Sequence, residues 1–216
     1  MAHLIRMEGN FHNYNLGGAE KPYLWQPGSY EGKVIYIPVN FEVLRLSYAR
    51  RIPNPKNPDS SILEVKGLQN FMDSLPPGNT PCCIQVTHAL NLSGQTIPAT
   101  NPTARRTNTT PITVDGVSRN YILAVDELEA WLTFKYGAGL DVRGFAGLPK
   151  TSNDMAAMKR QLSSVKGILL FRESGAGMHT ELWDGRQILQ RDMAEAHLFS
   201  RPRVLVWCCD PDLQAS

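Results

Sequence analysis

The chain has 216 residues, a formal net charge of +2 and a hydrophobic content of 42%. Such a length suits one domain, or one domain with an extension, large enough to bury an apolar core without staples. Near-balanced charge argues against a basic face for nucleic acid, and ordinary apolar content against disorder. Four cysteines are too few for a disulfide scaffold.

No segment approaches the roughly 20 apolar residues of a membrane-spanning helix. The amino-terminal MAHLIRMEGNFHNYN lacks the apolar stretch and cleavage site of a signal peptide. The expectation is therefore synthesis in the cytoplasm without a cleaved signal, and no membrane insertion.

Residues 1–59 read as an irregular, β-rich extension packed on the rest, broken by Gly17-Gly18, Pro27-Gly28 and Gly32. Val34 to Val39 has strand composition, with Pro38 marking an end or an edge. Phe41 to Tyr48 suits a second strand or a short helix. Ile52 to Asp59 holds three prolines and reads as a stiff connection. Ser60 or Ser61 is then expected to cap a helix toward Leu75, with Leu63, Leu68, Phe71, Met72 and Leu75 on one face. Pro76-Pro77-Gly78 ends it, and Pro81 is suited to the first turn of a helix that runs to Ser93-Gly94.

Residues 95–118 are polar and read as a long loop. Tyr121 to Val125 reads as a short strand, and Asp126 with Glu129 as a capping box for a helix closed by Gly137. Thr151 or Ser152 is expected to cap a further helix through Val165. Ile168 to Phe171 is apolar throughout, as a central strand is. His179 to Trp183 follows a Gly-rich turn, and Asp184-Gly185 is a hairpin signal with a return strand from Arg186 to Asp192. Val204 to Trp207 is one more strand. Helices first and antiparallel strands later predict the α+β class.

The cysteines form two adjacent pairs, Cys82-Cys83 and Cys208-Cys209. Zinc ligands are usually two to four residues apart, so a metal site fits poorly and no cofactor is implied. Most of the four read as small buried hydrophobes. Cys82 differs because a helix start places backbone N–H groups and the positive dipole end beside it. Both lower a thiol pKa and offer donors to an oxyanion. Cys83 would point roughly 100° away around the helix, inward.

A nucleophilic thiol needs a base, and the histidines are His3, His12, His88, His179 and His197. His88 lies on the cysteine's own helix but on another face. His179 begins a strand after a Gly-rich turn, where it can border a cleft. Pairing Trp183 with Arg186 across a two-residue turn sets His179 opposite Gln190, with Asp192 on the same sheet face. Either side chain can hold the imidazole; chemistry prefers the carboxylate of Asp192 and register prefers Gln190.

Two blocks together resemble a known family. They are Asn79-Thr80-Pro81-Cys82-Cys83-Ile84-Gln85-Val86-Thr87-His88-Ala89-Leu90-Asn91-Leu92-Ser93-Gly94 and, after Lys166-Gly167-Ile168, His179-Thr180-Glu181-Leu182-Trp183-Asp184-Gly185. They resemble the type VI secretion amidase effectors, family 4, over roughly residues 60–195. The resemblance implies a papain-like (NlpC/P60-like) peptidase domain over 60–216, with N-terminal helices packed on an antiparallel sheet. It implies Cys82 as nucleophile and His179 as base. The family's third residue is an aspartate; that position falls on Gln190 without a gap and on Asp192 after a two-residue insertion.

The implied activity is hydrolysis of the D-glutamyl–meso-diaminopimelate bond in peptidoglycan stem peptides. The implied partners are a secretion apparatus that injects the protein into another cell's periplasm and a cognate immunity protein. A proline directly before Cys82, a longer N-terminal region and the lack of a cysteine pair in the final hairpin depart from the family pattern. The same pair of residues would also serve a protein deamidase or transglutaminase, and a module with four buried cysteines would be no enzyme at all.

Overall fold

Gly167–Glu173 (β6) carries the apolar run and forms the middle of a four-stranded sheet, where its first five residues are buried. It is antiparallel to both Ala176–Trp183 (β7), at one edge, and Arg203–Cys208 (β8). The short strand Leu140–Asp141 (β5) closes the other side of β8, giving the order β5-β8-β6-β7. Because both faces of β6 are covered, its residues need no polar alternation. Gly167 is required by packing, since a Cβ there would stand 2.0 Å from the Trp207 carbonyl oxygen. This computed structural model describes residues 36–76, 79–100, 109–142, 154–173, 175–190 and 193–213.

The helix Cys82–Leu92 (α3) is buried on every side from Cys82 to Asn91. Such a helix belongs to the interior rather than to an amphipathic surface. Its buried Cys82, Cys83, Val86, Ala89 and Leu90 join Ile168, Leu170 and Leu182 of the sheet in the largest apolar cluster. Phe41–Leu46 (α1) lies against α3 and adds Phe41 and Leu44 to that cluster, as does Tyr48 just beyond it. Val125–Tyr136 (α4) adds Leu128, Trp131 and Leu132. On the opposite sheet face, Met155–Leu162 (α5) and Glu195–Phe199 (α6) bury Met158, Leu162, Leu198 and Phe199 with Leu169, Phe171 and Trp183. The α+β class expected from the sequence is present, with helices packed on an antiparallel sheet.

Several local expectations are corrected. The stretch read as a stiff connection and a helix start is an antiparallel ribbon, Arg51–Asn54 (β1) with Asn57–Leu63 (β2). Its prolines are tolerated because a two-stranded ribbon consists of edges. Ser60 and Ser61 therefore sit in β2, and the helix is the shorter Lys66–Ser74 (α2), preceded by Val65. β2 also runs across the boundary expected after residue 59, and Ile37 pairs with Cys209 beside the sheet.

The polar stretch from residue 95 contains most of a second hairpin, Thr110–Val114 (β3) with Val117–Tyr121 (β4). Asp115 and Gly116 both have positive φ, 49° and 78°. That is the demand of a tight two-residue turn, and Asp-Gly supplies it. Tyr121 to Val125 is not a separate strand: Tyr121 closes β4 and Val125 opens α4. The capping box at Asp126 does not form. Asp126 lies in the first turn and accepts instead from the Gly177 backbone N–H at 2.8 Å and from Arg172. α5 is capped by Asp154, whose carboxylate accepts the Ala157 N–H; Thr151 and Ser152 lie outside the described residues.

Candidate active site

Pro81 brings the chain into α3 in helical geometry, with its carbonyl already accepting the Gln85 N–H at 2.9 Å. Cys82 is thus the first residue of the helix, where backbone N–H groups have no partner within it. The Cys82 side chain is buried and its sulfur lies 3.5 Å from the Thr80 hydroxyl. The imidazole of His179, from β7, reaches the same sulfur. His179 is itself buried, with its ring stacked on Phe171 at a centroid distance of 6.1 Å. The helix start and the strand start expected to supply a thiol and a base are therefore brought together.

The Cys82 thiol and the His179 imidazole are shifted in opposite directions, each toward its charged form. A hydrogen bond from the Cys83 thiol holds the Cys82 thiol well below its ordinary range; burial opposes this, and His179 and Thr80 add to it. Burial pulls the other way on His179, yet the Cys82 sulfur and the Glu181 carboxylate together push the imidazole up to about 10. Cys83 moves oppositely to its neighbour. The Cys82 sulfur and full burial both raise it, so it stays a thiol and a donor.

The register at Gln190 differs from the sequence expectation. The turn after Trp183 is two residues longer than a two-residue hairpin, since Trp183 bridges to Ile188 rather than pairing with Arg186. The Asp184 side chain builds it by accepting the N–H groups of Arg186 and Gln187 at 2.7 and 2.8 Å. Gly185, with φ of 95°, supplies the left-handed step. Leu189 then bonds to Leu182, so Gln190 does not face His179. Its amide oxygen accepts the Arg51 backbone N–H at 2.7 Å, tying β7's return segment to the β1–β2 ribbon. Asp192 lies outside the described residues.

A residue the sequence reading passed over stands beside the imidazole. The Glu181 carboxyl is fully buried, and its Oε2 is 3.8 Å from His179 Nε2. Two residues along a strand is the spacing that puts side chains on one face, so the pattern His179-Thr180-Glu181 held the signal.

The other candidates are elsewhere. His88 bonds Tyr121 through Nδ1 at 2.9 Å on the far part of α3, and burial followed by the charge of Arg119 brings it down to about 4. His197 is exposed on α6. His3 and His12 lie outside the described residues. Burial alone pushes Cys208 up to about 12, and burial together with Cys208 and Asp210 raises Cys209 well above its ordinary range. Among the described residues, no group of three or more His, Cys, Asp or Glu side chains is arranged to hold a metal ion. Nor, among them, is any helix long and apolar enough to cross a membrane.

Comparison with known proteins gives the class directly: the chain is an amidase effector of type VI secretion. The family model that matches, over residues 78–207, is Tae4, the type VI secretion system (T6SS) amidase effector protein 4. This match spans more than half of the chain, and the chain belongs to that family of antibacterial peptidoglycan amidases. No curated protein matches.

Solved structures similar to it include the type VI effector Tae4 from Enterobacter cloacae, at 18% identity and a TM-score of 0.42, covering 61% of this chain and 73% of that one. Another is the Tae4–Tai4 effector–immunity complex from Enterobacter cloacae, at 16% identity and 0.42, covering 61% and 75%. A third is Tae4 from Salmonella typhimurium in complex with the immunity protein Tai4 from Enterobacter cloacae, at 20% identity and 0.40, covering 61% and 76%.

Proposed function

We propose that this amidase is a cysteine peptidase that hydrolyses the bond between D-glutamate and meso-diaminopimelate in peptidoglycan stem peptides. The observation that carries the reading is a single one: the thiol at the first residue of a buried helix lies against a strand-borne imidazole. In this mechanism the Cys82 thiolate attacks the γ-carbonyl carbon of D-glutamate. The carbonyl π-electrons move onto oxygen, and backbone N–H groups at the start of α3 receive that oxyanion. The C–N bond then breaks, and the His179 imidazolium gives its proton to the leaving amine. His179 next takes a proton from water, which attacks the thioester and frees the γ-carboxylate and the thiolate.

For the third residue the reading keeps the aspartate. Gln190 is engaged with Arg51, which supports Asp192 as the bearer of that role. Two of the similar structures hold a Tae4 effector bound to a Tai4 immunity protein. By the same reading this chain has a cognate immunity partner and acts in the periplasm of the cell it enters.

The test is digestion of purified peptidoglycan followed by muropeptide analysis. Wild-type protein is expected to release fragments ending in D-glutamate, and C82A none. Cleavage at another bond, or equal products from C82A, would overturn the reading.

A further inference from the structure

Among the described residues near the site, Glu181 is a feature that neither the family pattern nor the helix–strand geometry accounts for. Its side chain has no exposed surface, although carboxylates are almost never fully buried without a partner. Oε1 has one, accepting the backbone N–H of Leu182 at 2.9 Å. Oε2 has no hydrogen bond, and neither has Nε2 of His179, the atom it faces across 3.8 Å. Two unsatisfied buried polar atoms facing each other are costly apart, and a movement of about 1 Å would join them. Burial raises the Glu181 carboxyl, while His179, the Tyr48 hydroxyl from the segment after α1 and the Leu182 N–H act to hold it down in its charged form.

We propose that Glu181 is a positioning residue for His179, closing onto Nε2 to orient the ring and to hold the positive charge that the imidazole carries while Cys82 is a thiolate. The proposal rests on the Cys82–His179 reading given above. It places a carboxylate from the histidine's own strand at the ring nitrogen that the third-residue aspartate would otherwise take. The groups facing this pair are Cys82 and Cys83 from α3 and Tyr48; Asp126 and Glu127 at the start of α4 act on Cys83. Removing the carboxylate's charge leaves the imidazolium less favoured, so the thiolate forms at higher pH.

The experiment measures the rate of iodoacetamide alkylation at Cys82 against pH, with peptidoglycan hydrolysis alongside. Glu181→Gln keeps an oxygen for the Leu182 N–H and loses only the charge, so a merely structural role would survive it. It is expected to move the alkylation midpoint up by about one pH unit. It is also expected to lower kcat by about tenfold or more with KM little changed. Glu181→Asp keeps the charge but withdraws it by one methylene, and is expected to fall between. If E181Q does not fold, E181D carries the test, with a smaller upward shift expected.

An unchanged midpoint and kcat in a folded E181Q, or in E181D where that is the only folded variant, overturns the proposal. So does a midpoint that moves in Asp192→Asn but not in E181Q. Failure of the Cys82 reading is separate, because C82A would then retain activity.

Discussion

Two copies of the same dipeptide occupy this protein, and their thiols are shifted in opposite directions at Cys82 and at Cys208-Cys209. Cys82-Cys83 opens a buried helix with His179 against the first sulfur, whereas at Cys208-Cys209, at the end of a strand, no imidazole acts among the described residues. Burial is nearly equal: all four cysteines are buried and none forms a disulfide. The difference lies in what meets the charge. At Cys82 a thiol, an imidazole and a hydroxyl favour the anion. At Cys208 burial alone acts, and at Cys209 the neighbouring Cys208 and Asp210 add to it. Desolvation raises a thiol wherever it occurs, so activation requires specific partners to overcome it.

The sharpest way to break this comparison is to remove one sulfur from each pair. Cys82→Ala is expected to lower the rate of peptidoglycan hydrolysis by about a thousandfold or more. Cys209→Ala is expected to leave it within about twofold, because its side chain only packs. Equal losses in the two variants would mean that the first pair acts through the fold and not through chemistry.

A second measurement addresses the charge itself. Of the four thiols, one is expected to alkylate rapidly at pH 7, and peptide mapping should place the label on Cys82. Changing His179 to Ala is expected to slow that labelling by about a hundredfold at neutral pH. In the wild type the imidazole holds its proton up to about 10. Activity that needs imidazolium beside thiolate should therefore decline on the alkaline side only as pH passes about 10. A decline centred near the ordinary histidine value of 6.5 would show that the two groups are not paired.

How much of this was readable beforehand depends on whether a local residue or a distant partner decided the outcome. Pro81 announces the start of α3, and the apolar run from Ile168 announces the central strand, because both signals are local. The ribbon at 51–63 was missed because prolines count against a strand, and a two-stranded ribbon excuses them. Asp115-Gly116 was passed over inside a polar stretch, although it carries the same hairpin signal as Asp184-Gly185. At the latter the signal itself misled, since Asp184 spent its carboxylate on two backbone N–H groups and made a longer turn. That difference of two residues changes which side chain faces His179. Glu181 was within reach of sequence reasoning through its spacing alone, but its burial comes from Tyr48 and α3, which no local pattern shows.

Packing gives a smaller effect that still separates the two pairs. Cys208 sits in the cluster on the α5 and α6 face, with Val165, Val206 and other apolar groups. Cys208→Ser puts a hydroxyl among them and is expected to cost about 1–3 kcal/mol in urea unfolding, with hydrolysis otherwise normal. A stability loss with a matching loss of kcat under native conditions would give the second pair a part in the reaction.

The smallest effect contrasts the two buried histidines. His179 is pushed up by a sulfur and a carboxylate, while burial and then Arg119 bring His88 down to about 4. His88 therefore releases its proton on folding between these values, and the unfolded chain binds more protons from its ordinary 6.5 down to about 4. Stability from this residue is fully present above pH 6.5 and falls as pH drops toward 4. Gln at position 88 keeps a partner for the Tyr121 hydroxyl and cannot titrate. His88→Gln is expected to flatten that part of the stability–pH curve while leaving the alkylation profile of Cys82 in place. If it instead moved the Cys82 profile, the two ends of α3 would be electrostatically coupled, and the activation of Cys82 would no longer be a property of its own three partners.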